Sequence, residues 1–394
     1  MIGVVYGTTG ELIKLSPILV RLDEMEEPAF TLCTGQQVEQ IPALLRDFDL
    51  PQPNLWLARG KDGHDLTRPA DLPPWLLDIV VEFTRQRQNL RARMASGAEP
   101  LLIVHGDTFT TVLGALMGHA LRAPVAHIEA GMRSGDLRNP FPEELDRLLV
   151  ARLAQIHFAP GPRAAANLRN LKVRGEIVDT AHNTILDALE LVKPDALEIT
   201  LPAEQFGLVS LHRFELLGKP AALRAILELL HEASRSKPIL LIDHPVTAAA
   251  IAAHDLDRLF DERFLRVPRQ RYFNFIALLK ASAFLVTDSG GSQQECARLG
   301  HPCLVHRAVT EHNDGLGGPV VLSRLDLDVA RGFLRAPLAY AKAPTTEQTS
   351  PTEVILGHLE SRGHLNPTRG SLPPRPHPRL PNYGKQPSQA AERV

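Results

Sequence analysis

The segment that decides the fold is LLIVHGDTFTTVLGALMGHALRAPVAHIEA, which spans residues 101–130. It begins with the continuous apolar run Leu101–His105, passes through a polar turn, and continues as an apolar-rich helical pattern at residues 110–122. A second apolar run follows at residues 125–129. Strands that are apolar throughout, instead of alternating, are typical of parallel sheets covered on both faces. The segment therefore predicts a β-α-β unit within an α/β protein.

The same alternation of strands and helices extends in both directions along the chain. Before residue 170 it predicts further strands at residues 1–6, 29–33 and 156–159 and helices at residues 10–22, 75–94 and 143–154. Near residue 173 the pattern restarts, with strands at residues 207–211, 239–243, 265–267, 284–287 and 303–306 and helices at residues 221–234, 272–281 and 292–299. We therefore expect two Rossmann-like, doubly wound domains with the ligand site in the cleft between them.

The predicted first domain covers residues 1–170 and the predicted second domain covers residues 171–350. A helix near residues 352–361 is expected to pack back on the first domain. Residues 362–394 are rich in proline and polar side chains, and they cannot bury enough apolar surface to offset their chain entropy. We expect them to form an extended or disordered tail.

Composition argues against several classes of partner. The chain has 394 residues, enough for two domains of about 150 residues each, and its formal net charge of −2 provides no basic surface for nucleic acid or a membrane. No apolar run approaches the ~20 residues of a membrane span, and the N-terminus lacks a basic signal-peptide region. The three cysteines cannot all pair and match no metal spacing. We expect a soluble, cytoplasmic protein that binds no metal.

Two glycine-containing turns are candidates for anion binding. The turn YGTTGE at residues 6–11 can present backbone N–H groups to an anion, or it can be a tight turn that binds nothing. The stretch TDSGGSQQE at residues 287–295 joins a strand to a helix, and the unpaired N–H groups and dipole of that helix favour a diphosphate over a plain cap. Glu295 is placed to accept hydrogen bonds from a ribose diol, or merely to interact favourably with the helix dipole.

Three acids stand near one another in the predicted order of elements: Asp107 follows a strand, Glu129 ends the next strand, and Glu143 begins the helix after it. Glu129 ends an apolar strand, where desolvation raises the pKa of a carboxyl group toward a value useful for proton transfer. The alternatives are that Glu129 forms a structural ion pair with Arg133 or Arg147, and that Asp107 caps the following helix. Carboxylates that arrive from adjacent segments favour acid–base chemistry over these structural roles.

Two histidines end predicted strands of the second domain. His212 and Arg213 follow its first strand and can face a phosphate across the cleft, although a lone histidine is more often structural. His244 precedes Pro245, and this pair mainly indicates a turn, because proline restricts the backbone.

Taken in order, these clusters resemble the non-hydrolysing UDP-N-acetylglucosamine 2-epimerases. The resemblance runs from residue 1 to about residue 330 and is carried by VHGDTFTT, HIEAGMRSGDLRNPFPEELDR, HFAP and TDSGGSQQE, with weaker support from AHNTILDAL and LHRFE. It implies a GT-B-like pair of domains, a homodimer, UDP held mainly by the second domain, and no cofactor. It also implies that a base removes the C2 proton while UDP leaves C1, giving a 2-acetamidoglucal to which UDP re-adds.

The resemblance also implies roles for individual residues. The catalytic set is Asp107, Glu129, Glu143 and His212. The set that binds the UDP-sugar is Lys14, Ser289, Gly290, Gly291 and Glu295, to which we add the cations Arg133 and Arg213.

Three loops depart from the family pattern and lose charge. The first loop reads GTTGE at residues 7–11 instead of GTRPE, and residues 310–314 read TEHND instead of TERPE, so an arginine is missing from each. Residues 34–37 read TGQQ instead of TGQH, from which we expect weak or absent activation by substrate. Arg213 or His312 can compensate for the lost cations. The losses fit a specialised epimerase, for example in antibiotic or other secondary-metabolite assembly, or a different nucleotide-sugar donor.

Three other functions stay open at this point. A hydrolysing relative would release N-acetylmannosamine and UDP, and a GT-B glycosyltransferase would share the architecture but need an acceptor. A non-catalytic protein would bind the nucleotide sugar without turnover.

Overall fold

A computed structural model describes residues 1–27, 29–66, 68–95, 99–135, 141–193, 201–345 and 349–366. The first half of the chain forms a seven-stranded sheet in the order β3-β2-β1-β4-β5-β6-β7, and every neighbouring pair is parallel. Its strands are β1 (Ile2–Tyr6), β2 (Phe30–Cys33), β3 (Leu55–Trp56), β4 (Leu101–His105), β5 (Val125–Ile128), β6 (Ile156–Ala159) and β7 (Glu176–Asp179). Its helices are α1 (Thr9–Glu24), α2 (Ile41–Asp47), α3 (Leu72–Met94), α4 (Phe109–Leu121), α5 (Glu143–Leu153), α6 (Pro162–Asn170) and α7 (Ile185–Glu190).

Helices cover both faces of this sheet because alternate residues of each strand point to opposite sides. In β1, Val4 and Tyr6 pack in the same core cluster as the apolar face of α1, whereas Val5 packs with α3 and α4. In β4, Ile103 and Val104 divide between the two clusters in the same way. The continuous apolar runs in the sequence therefore reflect strands that are buried on both faces.

The second half of the chain forms a six-stranded parallel sheet in the order β10-β9-β8-β11-β12-β13. Its strands are β8 (Gly207–Ser210), β9 (Ile239–Asp243), β10 (Phe264–Pro268), β11 (Phe284–Thr287), β12 (Cys303–Val305) and β13 (Val320–Leu322). The helices that follow are α8 (Phe214–Leu217), α9 (Pro220–Ser234), α10 (Pro245–Ala253), α11 (Tyr272–Ala281), α12 (Gly290–Leu299), α13 (Leu327–Arg335) and α14 (Pro351–Ser361).

Both sheets reverse their strand order at one point, and these two points position the site. The order reverses between β1 and β4 in the first sheet and between β8 and β11 in the second. In doubly wound sheets the loops that leave the strands at such a point diverge, and ligands bind in the crevice between them.

The predicted domain boundary at residue 170 falls too early for the first sheet. The pattern that restarts near residue 173 begins with Glu176–Asp179, and this strand pairs with Ile156–Ala159 and completes the first sheet. Short elements such as α2, α6, β3 and β13 had no clear signal in the sequence.

The last described helix returns to the first half of the chain. Helix α14 packs on α1, and Glu353 Oε1 of α14 accepts from Arg21 Nε of α1 at 2.7 Å. It also contacts α7, where Asp187 Oδ2 accepts from the N–H of Thr352 at 2.8 Å. The predicted tail begins later than residue 362, because Leu365 is buried and His364 Nδ1 lies 3.2 Å from the carbonyl of Glu99. The rest of that predicted tail, residues 367–394, lies outside the described residues. In the part of the chain that is described, no helix is both long and apolar enough to cross a bilayer.

Candidate active site

The predicted acids of the first half lie where β4, β5 and α5 meet. Asp107 stands two residues beyond β4, Glu129 directly follows β5, and Glu143 is the first residue of α5. Because β4 and β5 are neighbouring parallel strands, their ends meet at one edge of the sheet.

Glu129 is largely buried, with 10% of its side chain exposed, and it is ionised. Its Oε2 pairs with Lys14 Nζ and lies 3.2 Å from His105 Nε2, and its own φ of +66° is left-handed. Burial by itself raises the pKa of Glu129, but the Lys14 ammonium and the His105 ring together hold that pKa well below its usual range. The raised pKa predicted for Glu129 is therefore wrong for the free protein, and so are the predicted ion-pair partners Arg133 and Arg147.

Arg133 and Arg147 bind two other acids. Arg147 donates to Asp107 Oδ2 from Nε at 2.9 Å and from Nη2 at 2.6 Å, and it also contacts Glu144 Oε2 at 3.1 Å. Arg133 Nε pairs with Glu144 Oε1, so this predicted UDP-binding cation is engaged by a buried carboxylate. Asp107 does not cap α4, because the cap is Thr108, whose hydroxyl accepts from the N–H of Thr111.

Glu143 has an environment opposite to that of Glu129. Its Oε2 is buried and has no hydrogen-bond partner among the described residues. Burial and the neighbouring charge of Asp107 raise the pKa of Glu143, while Arg213 and Arg147 oppose that rise. One cleft thus holds a glutamate with a lowered pKa and a glutamate with a raised pKa, and such a separation is how carboxyl groups divide the roles of base and acid.

The turn after β1 satisfies its own N–H groups and fits the tight-turn alternative. Glu11 Oε2 accepts from the N–H groups of Gly7 and Thr8 at 2.8 and 2.9 Å, and Gln37 Oε1 accepts from that of Thr9 at 2.9 Å. The sequence carried a signal for part of this, since Thr8 and Glu11 have the spacing of a capping box. Nothing in the sequence pointed to Gln37.

The turn after β11 is different. Helix α12 begins at Gly290, earlier than the predicted residue 292, and Ser289 is its cap. A Cβ on Gly290 would lie 2.5 Å from His312 Cδ2, so the ring of His312 packs directly on this glycine. The first N–H groups of a helix have no backbone partner inside it, and its dipole places positive charge at that end. At the start of α12 the Ser289 hydroxyl accepts from the N–H of Ser292 at 3.4 Å.

Glu295 lies one turn further along α12 and is buried. Burial raises the pKa of Glu295 to about 7, against opposing influences of Tyr272 and Lys14. Its predicted contact with a ribose diol stays a prediction.

His212 and Arg213 are held at the end of β8 by Asp288, whose role the sequence did not reveal. Asp288 Oδ2 accepts from the N–H of His212 at 2.9 Å and from that of Arg213 at 2.8 Å. The ring of His212 lies 4.7 Å from that of His244, so His244 does more than form a turn. Burial, with Arg213 and Arg269, lowers the pKa of His212 to about 4, so its ring is neutral near pH 7.

The two halves of the site face each other across the cleft. Arg213 influences the pKa of Glu143, and Glu129 and Lys14 influence that of His312. Arg271 Nη1 bonds to Asp47 Oδ1 at 2.6 Å, joining the second half of the chain to the first.

Among the described residues, no group of three histidine, cysteine, aspartate or glutamate side chains is arranged to hold a metal.

Comparison with known proteins identifies the family. A family model described as UDP-N-acetylglucosamine 2-epimerase matches residues 87–323. A UDP-N-acetylglucosamine 2-epimerase of Yersinia pestis is 32% identical over 337 residues, which cover 81% of this chain and 85% of the relative. The chain belongs to the UDP-N-acetylglucosamine 2-epimerase family. The family recognised from the sequence motifs is therefore confirmed.

Solved structures of family members share the two-sheet architecture. The UDP-GlcNAc 2-epimerase of Methanocaldococcus jannaschii, in complex with UDP-GlcNAc and UDP, is 25% identical with a TM-score of 0.74, covering 91% of this chain and 99% of that one. The enzyme of Neisseria meningitidis bound to UDP-GlcNAc is 24% identical with a TM-score of 0.75 over the same shares of the two chains, and it shows the fold. The predicted α/β, GT-B-like fold class is confirmed.

Proposed function

We propose that this chain interconverts UDP-N-acetylglucosamine and UDP-N-acetylmannosamine without releasing the free sugar. The observation that carries the proposal is the pair of glutamates in one cleft, opposite the N-terminus of α12: the pKa of Glu129 is lowered and that of Glu143 is raised. Inversion at C2 needs two proton-transfer groups on opposite faces of the sugar and a stabilised diphosphate leaving group. Membership of the family supports the same reaction.

In the proposed elimination, Glu129 takes the proton from C2 as the C1–O bond breaks. The electron pair of the C2–H bond forms the C1=C2 double bond of a 2-acetamidoglucal, and UDP leaves with the electron pair of the C1–O bond. If the incoming diphosphate draws Lys14 away from Glu129, the carboxylate loses its counter-ion and becomes a stronger base. Glu143 then returns a proton to the opposite face of C2 while UDP re-adds to C1.

Asp107 and His212 have supporting roles in this proposal. Arg147 fixes the orientation of Asp107, whose charge contributes to the raised pKa of Glu143. The neutral ring of His212 keeps one N–H group, which can donate a hydrogen bond to the diphosphate.

The nucleotide is proposed to bind the second half of the site. Ser289, Gly290 and Gly291 would hold the diphosphate at the N-terminus of α12, and Glu295 would accept from the ribose. Arg213 and His312 would supply the cationic or donor groups that the two arginine-free loops lack. Weak or absent substrate activation and a place in secondary-metabolite assembly stay predictions from the sequence.

We also propose that the chain is a cytoplasmic homodimer. An apolar face is exposed on three neighbouring helices of the first half, with Leu77, Val80 and Val81 on α3 being 63%, 55% and 57% exposed. Leu116 on α4 and Leu145 on α5 are exposed as well. Contiguous exposed apolar surface usually marks a protein interface. Sedimentation of the wild type and of Val81→Asp tests this, because a dimer closed by this face should dissociate in the variant.

The reaction is tested by incubating the protein with several UDP-sugars in D₂O. The proposal expects deuterium at C2 and interconversion of the two epimers without accumulation of UDP, as followed by proton and phosphorus NMR. No exchange with any UDP-N-acetylhexosamine would refute it. Accumulation of UDP with free N-acetylmannosamine would favour a hydrolysing enzyme, and a product that forms only with an added acceptor would favour a glycosyltransferase.

A further inference from the structure

The region around the start of α5 contains more carboxyl groups than guanidinium groups. Four carboxyl groups, those of Asp107, Glu143, Glu144 and Asp146, lie near two guanidinium groups, those of Arg133 and Arg147. Both arginines bond to Glu144, and Arg147 also bonds to Asp107. In the described part of the chain, no ion pair joins Glu143 or Asp146 to a cation.

Asp146 is the more deeply buried of the two acids without an ion pair. It is 4% exposed, and its Oδ2 has no hydrogen-bond partner within the described ranges. Asp146 follows Glu143 by three residues on α5, so both carboxyl groups occupy one face of the helix. If this carboxylate were ionised, its Oδ2 would be buried without a hydrogen bond, and its charge would be repelled by Asp107 and Glu143.

A bound proton removes that conflict. Burial, together with the charges of Asp107 and Glu143, raises the pKa of Asp146 to about 7. Among the described residues, the charged groups around this face include Glu144 and Arg147 on the same helix and Arg133 on the loop after β5. Across the cleft they include Arg213, which acts on Glu143, and Glu311, which acts on Arg147.

We propose that Asp146 is a positioning residue that carries a proton in the working enzyme and thereby leaves Glu143 free to exchange its own proton with the sugar. The inference rests on the proposed epimerase reaction. Of two adjacent carboxyl groups, the ionisation of one disfavours that of the other. While Asp146 is neutral, Glu143 releases its proton readily. Once Asp146 ionises, its charge holds the proton on Glu143, and Glu143 becomes a poorer acid.

The first measurement is the pH dependence of C2 deuterium exchange in the wild type and in Asp146→Asn. Asparagine keeps the shape of the side chain and is neutral at every pH. We expect exchange in the variant within about threefold of the wild type near pH 6, and we expect the wild-type decline above pH 7 to move at least one pH unit higher in the variant or to disappear. Equal alkaline limbs in the two proteins would overturn the inference.

The second measurement needs no substrate, so it separates this inference from the proposed reaction. A carboxyl group whose folded-state pKa is about 7 binds its proton more tightly in the folded than in the unfolded chain, so its contribution to stability decreases as the pH rises from about 4 to about 7. The unfolding midpoint of the wild type should therefore fall relative to that of Asp146→Asn across this window. Asp328→Asn, a change at an exposed aspartate of α13, is the matched control and should track the wild type.

The deuterium exchange tests the proposed reaction, and the unfolding midpoints test whether Asp146 holds a proton. A wild type without exchange refutes the proposed reaction, and the unfolding comparison then still decides whether Asp146 holds a proton. Parallel unfolding curves for wild type and Asp146→Asn would show that Asp146 is ionised in the folded protein and would overturn the inference. UDP affinity should be the same in both proteins, because Asp146 lies on the sugar side of the cleft.

Discussion

Each half of the molecule directs a strand-glycine-helix turn into the cleft, but the two turns differ in what occupies their backbone N–H groups. After β1, the side chains of Glu11 and Gln37 bond to the N–H groups of the turn. After β11, the turn has two glycines at the start of α12, and the ring of His312 rests on the first of them. Side-chain acceptors thus occupy the N–H groups of the first turn, whereas in the second the only acceptors among the described side chains are Thr287 Oγ1 and Ser289 Oγ, which accept from the N–H groups of Ser289 and Ser292.

The same contrast extends to the chemistry of the two halves. The first half presents the carboxylates Asp107, Glu129 and Glu143, whereas the second presents the neutral ring of His212 and the positive end of a helix dipole. Protons would be handled on one side of the cleft and the diphosphate on the other. Four changes test this division.

The largest effect is expected for Glu129→Gln. Loss of the base should reduce C2 deuterium exchange by about 10³-fold, within the range found for general acid–base groups. UDP affinity, measured by calorimetry, should not fall, because Glu129 acts on the sugar and its loss only frees Lys14 for the diphosphate. Glu353→Gln, at a surface position on α14, is the control and should keep full activity. A parallel loss of UDP affinity and exchange in Glu129→Gln would contradict the division.

A smaller effect is expected for Gly290→Ala in the second half. The added methyl group would displace the His312 ring, which lies 2.5 Å from the position of that carbon, and it would obstruct the donors of α12. UDP affinity should fall about tenfold, which corresponds to about 1.4 kcal/mol. Gly332→Ala on α13 is the matched control, since no atom lies within 4 Å of its added carbon. Equal UDP affinity in the two variants would place the diphosphate elsewhere.

The pH dependence of nucleotide-sugar binding tests His312 itself. Burial lowers the pKa of His312, so its ring is neutral in the free protein, and an adjacent diphosphate would raise that pKa. Binding should therefore take up a proton, and affinity should weaken as the pH rises. Calorimetry in buffers of different ionisation enthalpy, with UDP-N-acetylglucosamine and the inactive Glu129→Gln protein, measures the uptake. Adding His312→Gln should abolish it, and unchanged uptake would assign the proton to another group.

The smallest effect on binding is expected for Gln37→Ala. Loss of the acceptor for both the N–H and the hydroxyl of Thr9 should lower the free energy of unfolding by about 1–2 kcal/mol, because each hydrogen bond usually contributes about 1 kcal/mol. UDP affinity should change less than about twofold, as measured beside the wild type. A larger gain in affinity would mean that the turn after β1 binds an anion once Gln37 is removed.

The sequence predicted the fold and the family because those depend on long, regular signals. The continuous apolar runs of β1, β4 and β11 identify buried parallel strands without reference to any distant residue. Strand β7 was assigned to the wrong half because a short, partly exposed edge strand gives a weak signal, and only its pairing with β6 places it in the first sheet.

The environment of each site residue was less predictable. The structural alternative for Glu129 was an ion pair with an arginine close in the sequence, but its partner is Lys14, 115 residues away on α1. Arg133 is nearer in the chain, yet it pairs with Glu144. Whether burial or a counter-ion decides the pKa of a carboxyl group depends on such distant pairs, and one sequence does not reveal them.

Helix α14 returns the end of the described chain to α1, the first helix of the first half. Ile355, Leu356 and Leu359 are buried in the same cluster as Leu12 and Leu15 of α1. The polypeptide thus passes from the first half to the second and then returns. A fragment that stops at residue 193 would leave an uncovered apolar strip along α1 and an unfilled acceptor at Asp187, so we expect the isolated first half to aggregate unless α14 is supplied as a separate peptide or fused to it.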